Sequence, residues 1–420
     1  MDFSVPKGMR DFLPQEMRER EEVIDSIRST FRLYGYAPFD TPAVEKMETL
    51  QRKGGEEIEG QIFKIEGGLG LRFDLTVPLA RVCGGKQFSL PFKRYAIAPV
   101  WRREEPQKGR FREFYQADID VVGSASAECE AELLACANEC LERLGFANAA
   151  IKINSRKVLD ALCEKIGVGE EKKGALMRSL DKIGKLDGEE IRKEMERKGI
   201  GKQEIDGVFG FIEGAKGNEK ALAKIREIGT KKALEAESEL SAVLCACKDY
   251  GITPQIDLSL VRGLAYYTGT VFEIKLSEDM GSVAGGGRYD SLISLFGKRL
   301  PAVGISLGIE RLIALLREKR KESKGAPYTK VFVACVNEKA RDYARKAAGE
   351  LRSRGICTEI DLMGRNLGRQ MEYANSAGIA FAAVVGEKEK KEGKITLRDL
   401  KSGKEKMVSV EEAEEIIGKD

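Results

Sequence analysis

A chain of 420 residues, 42% hydrophobic and 33% charged, has the length and balance of a globular protein with two or three cored domains, which excludes disordered and fibrous classes. A net charge of +3 does not by itself demand nucleic acid, and the complete absence of histidine removes the commonest general base and metal ligand. No apolar run is long enough to span a membrane and residues 1–14 hold no apolar leader core, so a cytoplasmic chain without a membrane segment is expected.

Met17, Val23, Ile24, Ile27, Phe31 and Leu33 recur at helical spacing, predicting an amphipathic helix over 12–34 that Gly35 ends. Short apolar or alternating runs at 62–65, 69–73, 95–104 and 111–122 then predict antiparallel strands. Ser126 is positioned to cap a helix whose first turn carries Glu128 and Glu130 and whose apolar stripe is Leu133, Leu134, Ala137 and Leu141. From about 156 to 248 the chain turns Lys- and Glu-rich with helical periodicity, predicting an inserted helical module. Strand patterns return at 255–260 and 270–276, and 307–316 suits a buried helix after a small-residue strand. A charged stretch over 317–324 before Gly325 and Pro327 is the natural linker. Beyond it, strands (331–336, 357–360, 379–385) alternate with helices (340–354, 367–377), predicting a small α/β domain. The nine cysteines include no Cys-x-x-Cys pair, so packing thiols and no metal centre are expected.

The chemistry concentrates in one hairpin. Strands over 93–104 and 110–122, joined by the turn-rich Glu105–Gly109, should pair. Period-two alternation puts Arg110, Arg112, Phe114, Gln116, Asp118 and Asp120 on one face and Phe111, Tyr115, Ala117, Ile119 and Val121 on the other. With Arg102 and Glu104 on the partner strand, the working face grades from cationic through aromatic and amide to anionic, which suits a polyanion at one end and a small cation at the other. Neither a phosphate loop nor a dinucleotide fingerprint occurs, so a nucleotide here must be held by arginines.

Three segments in order resemble the motifs of class II aminoacyl-tRNA synthetases: Tyr34 to Pro42, the hairpin itself, and Ala302 to Leu312. Within that class, Leu260 to Glu273 (LVRGLAYYTGTVFE) and Ala284 to Asp290 (AGGGRYD) resemble segments of the histidyl-tRNA synthetases. The resemblance implies an α+β catalytic domain, an antiparallel sheet flanked by helices, formed by 1–155 and 249–322. It also implies a helical insertion at 156–248, a C-terminal α/β anticodon-binding domain at 328–420, and a homodimer with Pro42 at its interface. The implied reaction is ATP-dependent ligation of histidine to tRNA(His) through histidyl-adenylate, with Mg2+ accompanying ATP.

Residue by residue, the resemblance gives Arg262 and Arg102 the catalytic cations, Arg102 on the α-phosphate and Arg262 beside it and the substrate carboxylate. Glu104 faces adenine, Phe114 and Arg311 sandwich its ring, and Arg110 meets the outer phosphates. Asp74, Thr76 and Gln116 meet the α-ammonium of histidine, while Asp120 and Tyr267, with Tyr266, surround its imidazole. A chain owning no histidine can run this reaction, because the nucleophile is already a carboxylate.

Two positions depart from the family pattern. Ala265 stands where many members carry Asp, and Glu105 places a negative charge in the hairpin loop that approaches the tRNA end, where Arg103 and Gln107 are the residues available to read it. The alternative function is a non-catalytic, synthetase-like histidine-binding regulatory subunit of ATP phosphoribosyltransferase. Such a chain is expected to lose cations among Arg102, Arg110, Arg262 and Arg311 and to lack the C-terminal domain, whereas all are kept here.

Overall fold

The computed structural model describes residues 3–52, 59–106, 110–180, 182–183, 187–213, 215, 217–261, 266–277, 281–320 and 327–418. The chain divides into two compact units, Met1–Lys321 and Glu322–Asp420.

In the first unit, the opening helix is Pro14–Leu33. Proline at its first turn gives up only a backbone N–H that no helical carbonyl needs, and Val23, Ile24, Ile27 and Phe31 turn inward. The strands follow as β1 (Ala37–Pro38), β2 (Val44–Lys46), β3 (Lys64–Ile65), β4 (Leu69–Leu71), β5 (Phe92–Trp101), β6 (Glu113–Val122), β7 (Ala150–Ser155), β8 (Gln255–Ile256), β9 (Thr270–Lys275), β10 (Ala284–Arg288) and β11 (Ala302–Gly308). Among the described residues, eight form one sheet in the order β1-β5-β6-β11-β10-β9-β7-β8, and β2-β4-β3 form a small second one. The large sheet is antiparallel from β5 to β7, while its edge strands β1 and β8 pair parallel to their neighbours.

Alternation along β6 and β11 decides which face does what. Ile119, Val121, Val303 and Ile305 enter the main core, which helix Glu128–Arg143 and the opening helix help to build. The even-numbered residues occupy the other face, where the register sets Gly304 across from Asp120, Ser306 across from Asp118 and Gly308 across from Gln116. Helices Arg156–Ile166, Glu170–Leu180, Gly188–Arg197, Lys202–Glu213, Asn218–Ile228 and Lys231–Asp249 fill the stretch expected to be helical.

Several local expectations are corrected. Ile62 is a buried residue just outside β3 rather than part of a strand, and the helix expected from 307 begins at Ile309, because Leu307 and Gly308 still pair with β6. That helix continues to Arg320, so the charged residues 317–320 are its last turn rather than linker. Ser126 lies one residue before the N-cap, although its Oγ still accepts from the backbone N–H of Glu128 at 3.3 Å.

The second unit holds β12 (Val331–Cys335), β13 (Thr358–Ile360), β14 (Phe381–Val385), β15 (Ile395–Asp399) and β16 (Glu405–Val408), in the sheet order β13-β12-β14-β15-β16. The first three run parallel, with helices Arg341–Ser353 and Leu367–Ser376 as crossovers, and the last two are antiparallel additions.

Candidate active site

The polar face of the large sheet opens into a cleft of about 1110 Å³. Asp74, Thr76, Arg102, Glu104, Arg110, Phe114, Gln116, Asp120, Tyr266, Tyr267 and Arg311 all line it, drawn from segments up to 237 residues apart. Arg262, Ala265 and Gln107 lie outside the described residues.

At the mouth, Arg102 is held by its Nε–H donating to the carbonyl of Phe73 at 2.9 Å, and its guanidinium stands 5.1 Å from the centre of the Phe114 ring. Arg110 and Glu104 approach to 3.9 Å and are both partly exposed, a weak pair that ligand phosphates can displace. Arg311 donates to the carbonyl of Ser282, which tethers it beside the strand β10 edge of the cleft. One expected position changes. Regular pairing of β6 starts only at Glu113, so strict alternation does not bind residues 110–112. Phe111 therefore lines the cleft, and Arg112 turns away to donate to the carbonyl of Glu104 at 3.0 Å.

The floor is anionic and nearly dry. Asp74 accepts from the backbone N–H of Val77 at 3.0 Å, and burial pushes its carboxyl up to about 6 against the pull of that N–H and of Arg102. Asp118 is likewise pushed up to about 7 by burial, with Arg94 opposing the shift and Asp120 adding to it. Asp120 pairs with the fully buried Arg94 at 2.7 Å and also accepts from the Tyr289 hydroxyl. Gln116 donates to the Ser306 hydroxyl at 2.7 Å, leaving its carbonyl oxygen facing the site. Tyr266 packs between Tyr267 and Tyr289, with ring centres 4.8 and 6.0 Å away.

Glycine is required here by close approach. A Cβ on Gly304 would fall 2.0 Å from an Asp120 carboxylate oxygen, and one on Gly287 would fall 2.8 Å from the Tyr267 ring. The small residues of β10 and β11 thus leave the space that the acidic and aromatic side chains fill.

Sequence reasoning did not single out Arg94, Ser306 or Glu310. Arg94 is the cross-strand partner of Asp120, a fact of register rather than of local pattern. Glu310 is buried, pairs with Arg20 at 2.8 Å and accepts from the backbone N–H of Tyr115 at 2.9 Å, which ties the start of the Arg311 helix to β6. Arg288, noticed for its motif, is structural: its fork grips both oxygens of buried Glu130 at 2.6 and 2.7 Å.

Comparison with known proteins bears on this geometry. A model of the histidyl-tRNA synthetase family matches residues 8–312, and an anticodon binding domain model matches 330–420. A histidine–tRNA ligase of Rhodopirellula baltica is 40% identical, covering 94% of this chain and 92% of its own. That of Korarchaeum cryptofilum is 39% identical, covering 95% of each. The crystal structure of histidyl-tRNA synthetase from Nostoc sp. PCC 7120 superposes with a TM-score of 0.85 at 31% identity over the whole of both chains. A Bacillus halodurans structure described as an ATP phosphoribosyltransferase regulatory subunit/histidyl-tRNA synthetase shares the fold, with a TM-score of 0.78 at 24% identity over 91% of this chain and 98% of its own.

Proposed function

The chain belongs to the histidyl-tRNA synthetase family, and from that membership we infer how its cleft serves the reaction. It is a histidine–tRNA ligase, which charges tRNA with histidine at the expense of ATP. The observation that carries the residue-level reading is the grading of one cleft from cationic and aromatic at its mouth to buried and anionic at its floor.

In this reading ATP lies at the mouth. Phe114 and Arg311 cover the adenine ring, Glu104 faces its edge, Arg110 meets the outer phosphates and Arg102 the α-phosphate. Histidine lies on the floor. Its α-ammonium meets Asp74, Thr76 and Gln116, and its imidazole sits between Asp120 and Tyr267 with Tyr266 behind. Arg94 and Tyr289 hold the Asp120 carboxylate in place, and each carboxylate oxygen has a second lone pair for a ring N–H.

The histidine carboxylate attacks the α-phosphorus, the bond to the β-phosphate oxygen breaks, and pyrophosphate departs. A terminal hydroxyl of tRNA then attacks the activated carbonyl and AMP leaves. Arg262 is proposed as the cation that stabilises charge building on the α-phosphate, an effect worth a factor of about 100 to 1,000 in rate. Mg2+ accompanying ATP would offset further phosphate charge.

For tRNA, the second unit carries a pocket of about 230 Å³ rimmed by Arg341, Arg345 and Arg365, which suits phosphate and base contacts. Pro42 and Val44 are exposed, in keeping with a homodimer interface. Cytoplasmic residence fits a chain in which, among the described residues, no helix is long and apolar enough to cross a membrane. The domain limits proposed are 1–155 with 249–322, 156–248, and 328–420.

Exchange of labelled pyrophosphate into ATP, assayed with each amino acid in turn, tests the assignment: histidine alone should stimulate it. Arg262→Ala should cut adenylate formation at least a hundredfold while leaving ATP binding intact; equal loss of both would make Arg262 a binding residue instead.

A further inference from the structure

Among the described residues, four buried acceptor atoms of the cleft lack a hydrogen-bond partner: one carboxylate oxygen each of Asp74, Asp118 and Asp120, and the amide oxygen of Gln116. That of Asp120 is ion-paired with Arg94 at 2.7 Å, which leaves three unpaired. Asp74 and Asp118 are 2% and 3% exposed, so bulk solvent reaches them little. Buried polar atoms are nearly always paired, and three unpaired acceptors in one place describe a ligand with several donors. An ammonium group has three N–H donors and no acceptor.

Asp118 is the member of this trio with no role so far. It projects from β6 between Gln116 and Asp120, across from Ser306 on β11, and its surroundings carry more negative than positive charge. Facing it are Arg94 from β5, Asp120 and Gln116 from its own strand, Ser306 from β11, and Asp74 from the segment before helix Thr76–Gly85. Arg94 is ion-paired with Asp120 at 2.7 Å through one terminal nitrogen, while its Nε and other terminal nitrogen have no hydrogen-bond partner among the described residues. Among the described residues, Arg94 and, for Asp74, Arg102 are the cations acting on three buried carboxyls, so the floor without ligand keeps a proton that a cation can replace.

Building on the substrate placement proposed above, we propose that Asp118 joins Asp74, Thr76 and Gln116 as an acceptor for the α-ammonium of histidine and becomes ionised as the ligand enters. The carboxyl gives its proton to solvent, and the ammonium takes its place: one proton leaves, one positive charge arrives, and no covalent bond of the substrate changes. Asp118 thereby selects for a ligand bearing a full positive charge above the sheet.

The test is calorimetry of histidine binding to the intact wild-type chain at pH 7, in two buffers with different ionisation heats. Asp118, pushed up to about 7, is about half protonated there, so release of at least about half a proton per histidine is expected. Loss of the ligand's own imidazole proton can account for only about a quarter, so release of that size or less overturns the proposal. Asp118→Asn should weaken histidine binding about tenfold to a hundredfold, leave ATP binding unchanged, and reduce proton release to the ligand's own share. Unchanged histidine affinity in that variant would also overturn it. If it does not fold, the wild-type measurement stands alone. Histidine that binds without proton release removes this role for Asp118 only, whereas failure of histidine to bind removes the substrate placement as well.

Discussion

The cleft floor and the helices of residues 156–249 are both rich in charge, yet they use it in opposite ways. On the helices, opposite charges meet close to solvent: Lys157 with Glu239 at 2.5 Å, Arg192 with Asp206 at 2.6 Å, Arg226 with Glu237 at 2.6 Å, and Glu194 with Lys182 at 2.8 Å. Each of these charges is paired and partly hydrated, so little free energy depends on any one of them. In the cleft, carboxylates are buried beside a single fully buried arginine, and polar atoms are left over. Charge that is paired at a surface maintains solubility and local geometry, whereas charge buried in surplus stores binding energy for a partner that completes it.

Arg94→Met should break the contrast most severely. It leaves Asp118 and Asp120 buried without their cation, at a cost of about 3 to 5 kcal/mol in urea unfolding at pH 7.5. That cost should shrink as pH falls through about 7, because Asp118, which burial pushes up to about 7, then takes a proton and sheds the charge that lacks a partner; Asp120 is shifted in the same direction by burial. A loss independent of pH would show that Arg94 acts through packing alone.

Gly304→Ala is expected to cost about 1 to 3 kcal/mol, since its Cβ would meet an Asp120 oxygen at 2.0 Å and the β6–β11 contact has no slack. It should also raise the KM for histidine more than that for ATP, because the displacement falls on the floor. An equal rise in both would place the damage in the sheet as a whole.

The smallest effect belongs to the helices. Two lysines, Lys182 and Lys198, hold the Glu194 carboxyl down at about 2. Its contribution is thus present above the ordinary value near 4.5 and is lost as pH falls from there toward 2. Glu194→Gln should lower stability by only about 0.2 to 1 kcal/mol at pH 7, and by less at pH 3. A larger effect, or any change in histidine exchange, would mean that these charges are coupled to the cleft.

The motif residues were legible because each lies in a short run whose chemistry is local: Arg102 and Glu104 before a turn, the alternating Phe114, Gln116 and Asp120, and the Gly-bounded Tyr266-Tyr267 pair. Arg94 was not, because Phe92-Lys93-Arg94-Tyr95 is an ordinary strand sequence. Its neighbour Lys93 points elsewhere, to the carbonyl of Tyr34 and to Glu132. The error at Phe111 had the same origin, since alternation holds only where a ladder enforces it.

By itself the sequence determined the element types, the hairpin and the identity of most cleft residues, because periodicity and motif are properties of neighbours along the chain. Tertiary structure decided which strands lie side by side, and hence that Arg94 faces Asp120 and that Ser306 faces Asp118. It also decided which acceptors remain unpaired. Burial and pairing are set by residues distant in the chain, and those two quantities govern where a carboxyl keeps its proton and where a ligand is needed to complete the fold.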